Sequence, residues 1–275
     1  MHRRGIHVSG VYAVRTLAGC VLALAVCAGR AQTPVSATAP SYSAAGLVSA
    51  ATGLAGSLSP NAIASLYGTN LAWTTHGVTA ADLVNGALPT SLAGVTVYVD
   101  NLLARLFFVS PGQINFLIPY EARGTTATVF VERQGITGPV VTIPIAPVSP
   151  GFFQWNGNFA VAEHADGSLI SPDAPARGGE IVVLYAAGLG LTVPDLSPGY
   201  IVSTATTILA AAQLQILING GVCASCSVYY AGVTPGFAGL YQINLRLPDG
   251  LPSDPAIQMA IGAESSPAGV QLYTQ

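Results

Sequence analysis

The sequence predicts an all-β protein built as two tandem β-sandwiches, and three observations carry that reading. First, Gln113-Ile114-Asn115-Phe116-Leu117-Ile118-Pro119 returns as Gln242-Ile243-Asn244-Leu245-Arg246-Leu247-Pro248. In both copies the second, fourth and sixth residues are large and apolar, the period-2 signature of a strand with one face in a core. Second, only 8% of residues are charged, against 31 Gly and 19 Pro, a composition that suits many short strands joined by turns. Third, no stretch beyond the N-terminal apolar run holds helical periodicity over three turns. The repeat spacing of roughly 120 to 130 residues gives each copy enough chain for its own core.

Taken in order, the chain opens with Arg3, Arg4 and Arg15, then the apolar run Leu17 to Ala28, then Gly29-Arg30-Ala31. This three-part pattern reads as a secretory signal over residues 1–31, cleaved after Ala31, and its run is short for a membrane span. Two alternatives stay open. Leu17-Ala18-Gly19-Cys20 resembles a lipobox, although Val21 to Val26 follow the cysteine where a lipidated residue should follow the apolar core, and an uncleaved anchor is the other. Residues 32–45, rich in Pro, Ser, Thr and Ala, read as a flexible lead-in. Strand character begins at Leu47. Ala62 to Tyr67 follows the Pro60-Asn61 turn, and the connection from Thr69 to Pro89 is irregular. Val95 to Val99 alternates cleanly, Asp100-Asn101 is a turn, and Leu103 to Val109 reads as the returning partner of a hairpin. The Gln113 strand, Thr126 to Glu132 and Val140 to Ile145 complete a first domain over 46–147. Pro144, Pro147 and Pro150 mark the boundary, near Val148.

The second domain, 148–275, repeats the order. An Asp166-Gly167 turn lies between Asn158 to Glu163 and Gly167 to Ile170, and Gly179 to Tyr185 matches the Tyr67 strand. Tyr200 to Ala212 is the one candidate short helix. Gln213 to Ile218 enters Asn219-Gly220, the strongest hairpin signal in the chain, with Ser227 to Tyr230 expected to return beside it. The second Gln-Ile-Asn strand, Ala256 to Ile261 and Val270 to Tyr273 follow.

Several motifs together resemble the Solibacter-type uncharacterised C-terminal domain family of secreted acidobacterial proteins, over roughly Val48 to Ile261. They are Ser59-Pro60-Asn61-Ala62-Ile63 through Tyr67-Gly68-Thr69-Asn70-Leu71-Ala72, Leu88-Pro89-Thr90-Ser91-Leu92-Ala93-Gly94-Val95, and Val109-Ser110-Pro111-Gly112-Gln113-Ile114-Asn115. Arg177-Gly178-Gly179-Glu180, Tyr185 with Gly188-Leu189-Gly190, and Tyr230-Ala231-Gly232 through Pro235-Gly236 to Tyr241-Gln242-Ile243-Asn244 continue them. The resemblance implies two tandem immunoglobulin-like β-sandwiches of the kind common on cell surfaces, and it implies no activity. The large region usual ahead of the family segment is not expected here, and the two sandwiches are expected to make up the mature protein.

The remaining residues bound the function. Beyond residue 31 there is no lysine, and Arg105, Arg123, Arg133, Arg177 and Arg246 face all 12 Asp and Glu, so no basic stripe neutralises phosphates and nucleic acid is not an expected partner. His76 and His164 are the only histidines of that region and no Gly-x-Ser-x-Gly elbow is present, so catalytic residues, metal ligands and cofactors are not expected. Glu163-His164-Ala165-Asp166 reads either as a metal-binding cluster or, preferably, as a solvated strand end. Gly188-Leu189-Gly190 lacks the third glycine of a dinucleotide loop and reads as a turn. Trp73 and Trp155, set among small and polar residues, are candidate sugar-stacking rings; packing is the default for both, with Phe152-Phe153 placing Trp155 at the domain joint. Gln113, Asn115, Gln242 and Asn244 are expected to satisfy backbone groups of neighbouring loops. Cys223 and Cys226 are expected to form a structural disulfide held by a bulge, since residues three apart on a plain strand stand about 10 Å apart and face opposite ways. The functional expectation is a secreted, periplasmic or cell-envelope structural or interaction module with a protein or polysaccharide partner and no membrane span in the mature chain. A carbohydrate-binding module using exposed aromatics is the alternative, with a hydrolase behind it.

Overall fold

A computed structural model describes residues 38–196 and 199–275, so the expected signal over residues 1–31 and the lipobox alternative at Cys20 lie outside the described residues. Strands dominate; the helical elements among the described residues are single 3-10 turns at Ala80–Asp82 and Ala211–Gln213. No helix among the described residues is long and apolar enough to cross a membrane.

The first half contributes β1 (Ser41–Ser49), β2 (Ile63–Thr69), β3 (His76–Gly77), β4 (Val95–Val99), β5 (Leu102–Leu103), β6 (Arg105–Val109), β7 (Gln113–Leu117), β8 (Thr126–Arg133), β9 (Ile136–Thr137) and β10 (Val141–Pro144). They form one antiparallel sheet in the order β1-β2-β7-β6-β3 and a second in the order β10-β8-β4-β5, with β9 against β8. Lettered A to G, the strands β1, β2, β4, β6, β7, β8 and β10 give A-B-E-D facing G-F-C, the immunoglobulin arrangement. Alternation explains the core between the sheets. Val95, Val97 and Val99 of β4 turn inward, as do Ile114 and Phe116 of β7, and all five are fully buried.

The second half contributes β11 (Gly151–Phe152), β12 (Gln154–Trp155), β13 (Phe159–Ala160), β14 (Ala162–His164), β15 (Ile181–Ala187), β16 (Thr192–Val193), β17 (Thr206–Ile208), β18 (Leu214–Ile218), β19 (Gly221–Val222), β20 (Ser227–Val233), β21 (Tyr241–Arg246), β22 (Ile257–Ile261) and β23 (Glu264–Ser265). One sheet runs β11-β15-β21-β20-β17-β16, with β14 also on β15; the other runs β19-β18-β22-β23; β12 and β13 form a small ribbon. The repeated Gln-Ile-Asn strands are β7 and β21, central in their sheets. Ile114 lies opposite Leu66 and Ile243 opposite Leu184. Both copies also carry a bulge on the next strand, at Phe107 and at Tyr229, where the register shifts against β7 and β21.

Four expectations are corrected. Leu103 to Val109 does not return beside β4: only Leu102 and Leu103 pair there, after which buried Ala104 turns the chain into the opposite sheet. Ser227 to Tyr230 does the same, with only Gly221 and Val222 pairing with β18. The reason lies in tertiary packing, because β7 and β21 each need a partner on both sides and β6 and β20 supply it. The lead-in is structured from Ser41, since Tyr42 anchors it: its hydroxyl donates to Pro139 O at 2.6 Å and accepts from Val131 N at 2.7 Å. Tyr200 to Ala212 holds β17 and one 3-10 turn where a short helix was expected.

Each half has its own core, with Ile145 in the first and Val148 in the second. The halves are joined by main chain. Leu88 N donates to Gly199 O at 3.0 Å and Ile201 N donates to Gly86 O at 2.9 Å, a short antiparallel ladder across the joint. Arg105 supports it by donating to Leu88 O at 2.7 Å. Gly199 sits at φ +66, and a Cβ there would come within 2.5 Å of the Arg105 side chain, so this position needs glycine on both counts.

Candidate functional site

The densest polar cluster is spent on holding loops. His164 ends β14, and its Nδ1 is ion-paired to Glu180 Oε1 while Nε2 lies 3.1 Å from Ala174 O. A carbonyl only accepts, so Nε2 carries a proton. Burial disfavours the charged ring, but the Glu180 and Ala174 contacts outweigh it and raise the His164 pKa. Both ring nitrogens are thus engaged, Nδ1 by Glu180 and Nε2 by the Ala174 carbonyl, and the ring serves to hold the loop. Glu180 also accepts from Arg177 N at 2.9 Å and so pins the 171–180 loop. The open groove here, about 770 Å³, is lined by His164, Asp173, Arg177, Glu180 and Gln275. Asp166 accepts from Ser168 N and Oγ in its own turn, which lowers its pKa.

Glu163 points to the other face of β14, as alternation requires. It is buried and accepts from Tyr185 Oη at 2.9 Å; desolvation raises the pKa of both groups. In the first half His76 Nε2 meets Asp82 at 3.1 Å. Hydrogen bonds from the Thr79 hydroxyl and backbone, with His76 adding to them, hold the Asp82 carboxyl down at about 2. Among the described residues no three His, Cys, Asp or Glu gather closely enough to hold a metal ion.

Gly188-Leu189-Gly190 forms a close crossing of two backbones. A Cβ at Gly188 would lie 2.1 Å from Ser149 O, and the carbonyl of Gly190 accepts from Tyr241 Oη. The paired amides bond to each other rather than to loop backbone, which corrects the expectation for them. Gln113 Nε2 donates to Asn115 Oδ1 at 2.8 Å, and Gln242 Nε2 donates to Asn244 Oδ1 at 2.9 Å. These residues stand two apart on one strand, so their side chains share the outer face.

Cys223 and Cys226 are bonded, with Cα atoms 5.3 Å apart, and Cys226 N donates to Cys223 O at 3.3 Å. The bond closes a tight turn, not a strand bulge. That turn lies where the chain leaves β19 for the opposite sheet, the position Ala104 occupies in the first half.

The two tryptophans part company. Trp155 is half-buried against the second core, edge-on to Tyr273 at 6.0 Å, while Phe159 stacks on the Tyr273 ring. Tyr273 and the core it packs against belong to the second half, where the expectation had placed Trp155 at the domain joint. Trp73 stays 49% exposed. One face of its indole lies on the Arg133 guanidinium, 3.7 Å from carbon to ring centroid, and Nε1 donates to Gln134 Oε1 at 3.1 Å. Arg133 is fully buried, and its Nη1 donates to Asn70 O. Gln134 and Gly135, at φ 48 and 81, form a two-residue hairpin turn between β8 and β9, and the Arg133 and Gln134 side chains meet the ring there. Sequence reasoning found Trp73 and missed Arg133 and Gln134, because Gln-Gly is a weak turn signal and an arginine closing a strand reads as solvated.

No family model matches the chain, and no curated protein matches it. Among solved structures it is similar to the Bacteroides ovatus mixed-linkage glucan utilization locus protein SGBP-B, in complex with a mixed-linkage heptasaccharide, at 12% identity and a TM-score of 0.30. That match covers 80% of this chain and 43% of the other, so the chain spans less than half the length of that protein. It is also similar to domains 5-6 of the S-layer protein SbsC, at 10% identity and a TM-score of 0.27, covering 86% of this chain and 99% of that one.

Proposed function

We propose that this chain is an exported envelope or secreted module that binds a protein or polysaccharide and contributes structure, with no chemistry of its own. The observation that carries the reading is the joint. A main-chain ladder between the 86–88 and 199–201 segments fixes two immunoglobulin-like sandwiches as one body, which suits a molecule that presents a surface rather than one that closes around a substrate. The Cys223–Cys226 bond fits an oxidising compartment, as does the basic and apolar pattern of residues 1–31. The engagement of His76 and His164 in loop-holding contacts supports the non-catalytic part.

Expression with the natural leader tests it. The exported protein is expected to begin at Gln32 without an acyl group on Cys20, to contain no free thiol before reduction, and to sediment with isolated envelope material. Retention inside the cell with Cys223 and Cys226 as free thiols, or turnover of ester or glycoside substrates, would overturn the proposal.

A further inference from the structure

We infer that Trp73, backed by Arg133 and framed by Gln134, is a stacking site for one neutral pyranose ring of a polysaccharide; the inference rests on the reading of the chain as an exported binding module. Three separate segments build the pad. Trp73 comes from the connection between β2 and β3, Arg133 and Gln134 from the tip of the β8–β9 hairpin, and Gly94 from the lead into β4. Gly94, at φ +77, leaves room for Gln134, since a Cβ there would fall 2.9 Å from Gln134 Cγ. The ring is thus fixed by a hydrogen bond at its edge and a cation beneath it, while its outer face is open to solvent. A rigid aromatic face loses little rotamer freedom on binding.

The chemistry of the surroundings selects the occupant. The guanidinium below repels a second cation one ring thickness away, so the open face is a poor site for lysine, arginine or a quaternary ammonium. A neutral ring bearing axial C–H groups meets no such penalty, because its attraction to the indole comes from dispersion and exclusion of water. The flanking groups are neutral and hydrogen-bonding: the Gln134 amide and the exposed Thr74 and Thr75 match sugar hydroxyls. The all-equatorial rings of β-linked gluco- and xylo-configured polymers present the required C–H face.

The test uses the exported chain with 15N-labelled indoles, whose two tryptophans give two signals. Cellohexaose, xylohexaose and chitohexaose are titrated in turn, with choline as the cationic control. The expected result is a saturable shift of the Trp73 signal with at least one oligosaccharide, none with choline, and an unmoved Trp155 signal. Trp73→Ala should weaken binding at least ten-fold and Gln134→Ala several-fold. Should Trp73→Ala unfold, Trp73→Leu still covers Arg133 without an aromatic face and should lose binding equally. Absence of a saturable Trp73 shift with all three sugars, an equal response to choline, or undiminished binding by a folded Trp73 variant would each overturn the inference. Export separates the two readings. If the chain is exported with Cys223 and Cys226 bonded but no sugar shifts Trp73, the pad is wrong and the module stands; if it is retained inside the cell with those thiols free, the module reading fails whatever the sugars show.

Discussion

Ile243→Asp is the sharpest test of the repeated strand, with Gln242→Asp as its control one residue away. Ile243 is fully buried on β21, between Leu184 and Ala231 in the neighbouring strands. Truncating such a side chain costs about 2 to 5 kcal/mol in lost packing. The new carboxyl has no buried partner, so it stays protonated in the fold. Holding a carboxyl neutral at pH 7 against an unfolded pKa of about 3.9 costs about 4 kcal/mol. The total, on the order of 6 to 9 kcal/mol, matches the whole stability of a typical domain. Gln242→Asp should cost only about 1 kcal/mol, for the bond to Asn244 on the outer face. Urea unfolding followed by circular dichroism reads both. The carboxyl introduced by Ile243→Asp would have a raised folded pKa, so the folded state binds the extra proton and stability should rise as pH falls toward 4, recovering about 4 kcal/mol. Equal cost for the two variants, or no recovery in acid, would refute the register.

Three further outcomes follow from the contacts described. Reducing Cys223–Cys226 should lower stability by about 2 kcal/mol or less, the chain-entropy limit for so small a loop, and thiol titration of unreduced, denatured protein should find none free. His164 has a raised folded pKa, so the stability it lends through Glu180 is fully present below its unfolded pKa of about 6.5 and disappears as pH climbs through the folded value; the gap in melting temperature between wild type and Glu180→Gln should close over that rise. Gly199→Ala forces a Cβ into Arg105 at a left-handed φ, and calorimetry should show a single melting transition giving way to two as the joint loosens.

What the sequence made legible was whatever period-2 alternation records. The inward residues of β4, β7 and β21, and the turn at Asn219-Gly220, follow from local pattern alone. The sheet to which a strand belongs is not local. Leu103 to Val109 and Ser227 to Tyr230 look like hairpin returns, and only the open flanks of β7 and β21 draw them across. The lead-in escaped notice because Ser41 and Ser43 to Ala45 are small, and the anchor is one hydroxyl, that of Tyr42, which reaches the main chain of a strand 89 residues away. At the site, a tryptophan among polar residues was visible. The buried cation beneath it was not, since Arg133 sits under Trp73 only once two distant connections are brought together.

The turn closed by Cys223 and Cys226 has one more consequence. Ala224 and Ser225 are exposed at its tip, as inviting a bond for an extracellular protease as a folded β protein offers. Yet a cut between them leaves the two sulfurs joined on either side of the gap, and the strands that follow stay tethered to those that precede. A nicked molecule should therefore migrate as an intact chain on a non-reducing gel and fall into two fragments, ending at Ala224 and beginning at Ser225, only when reductant is added.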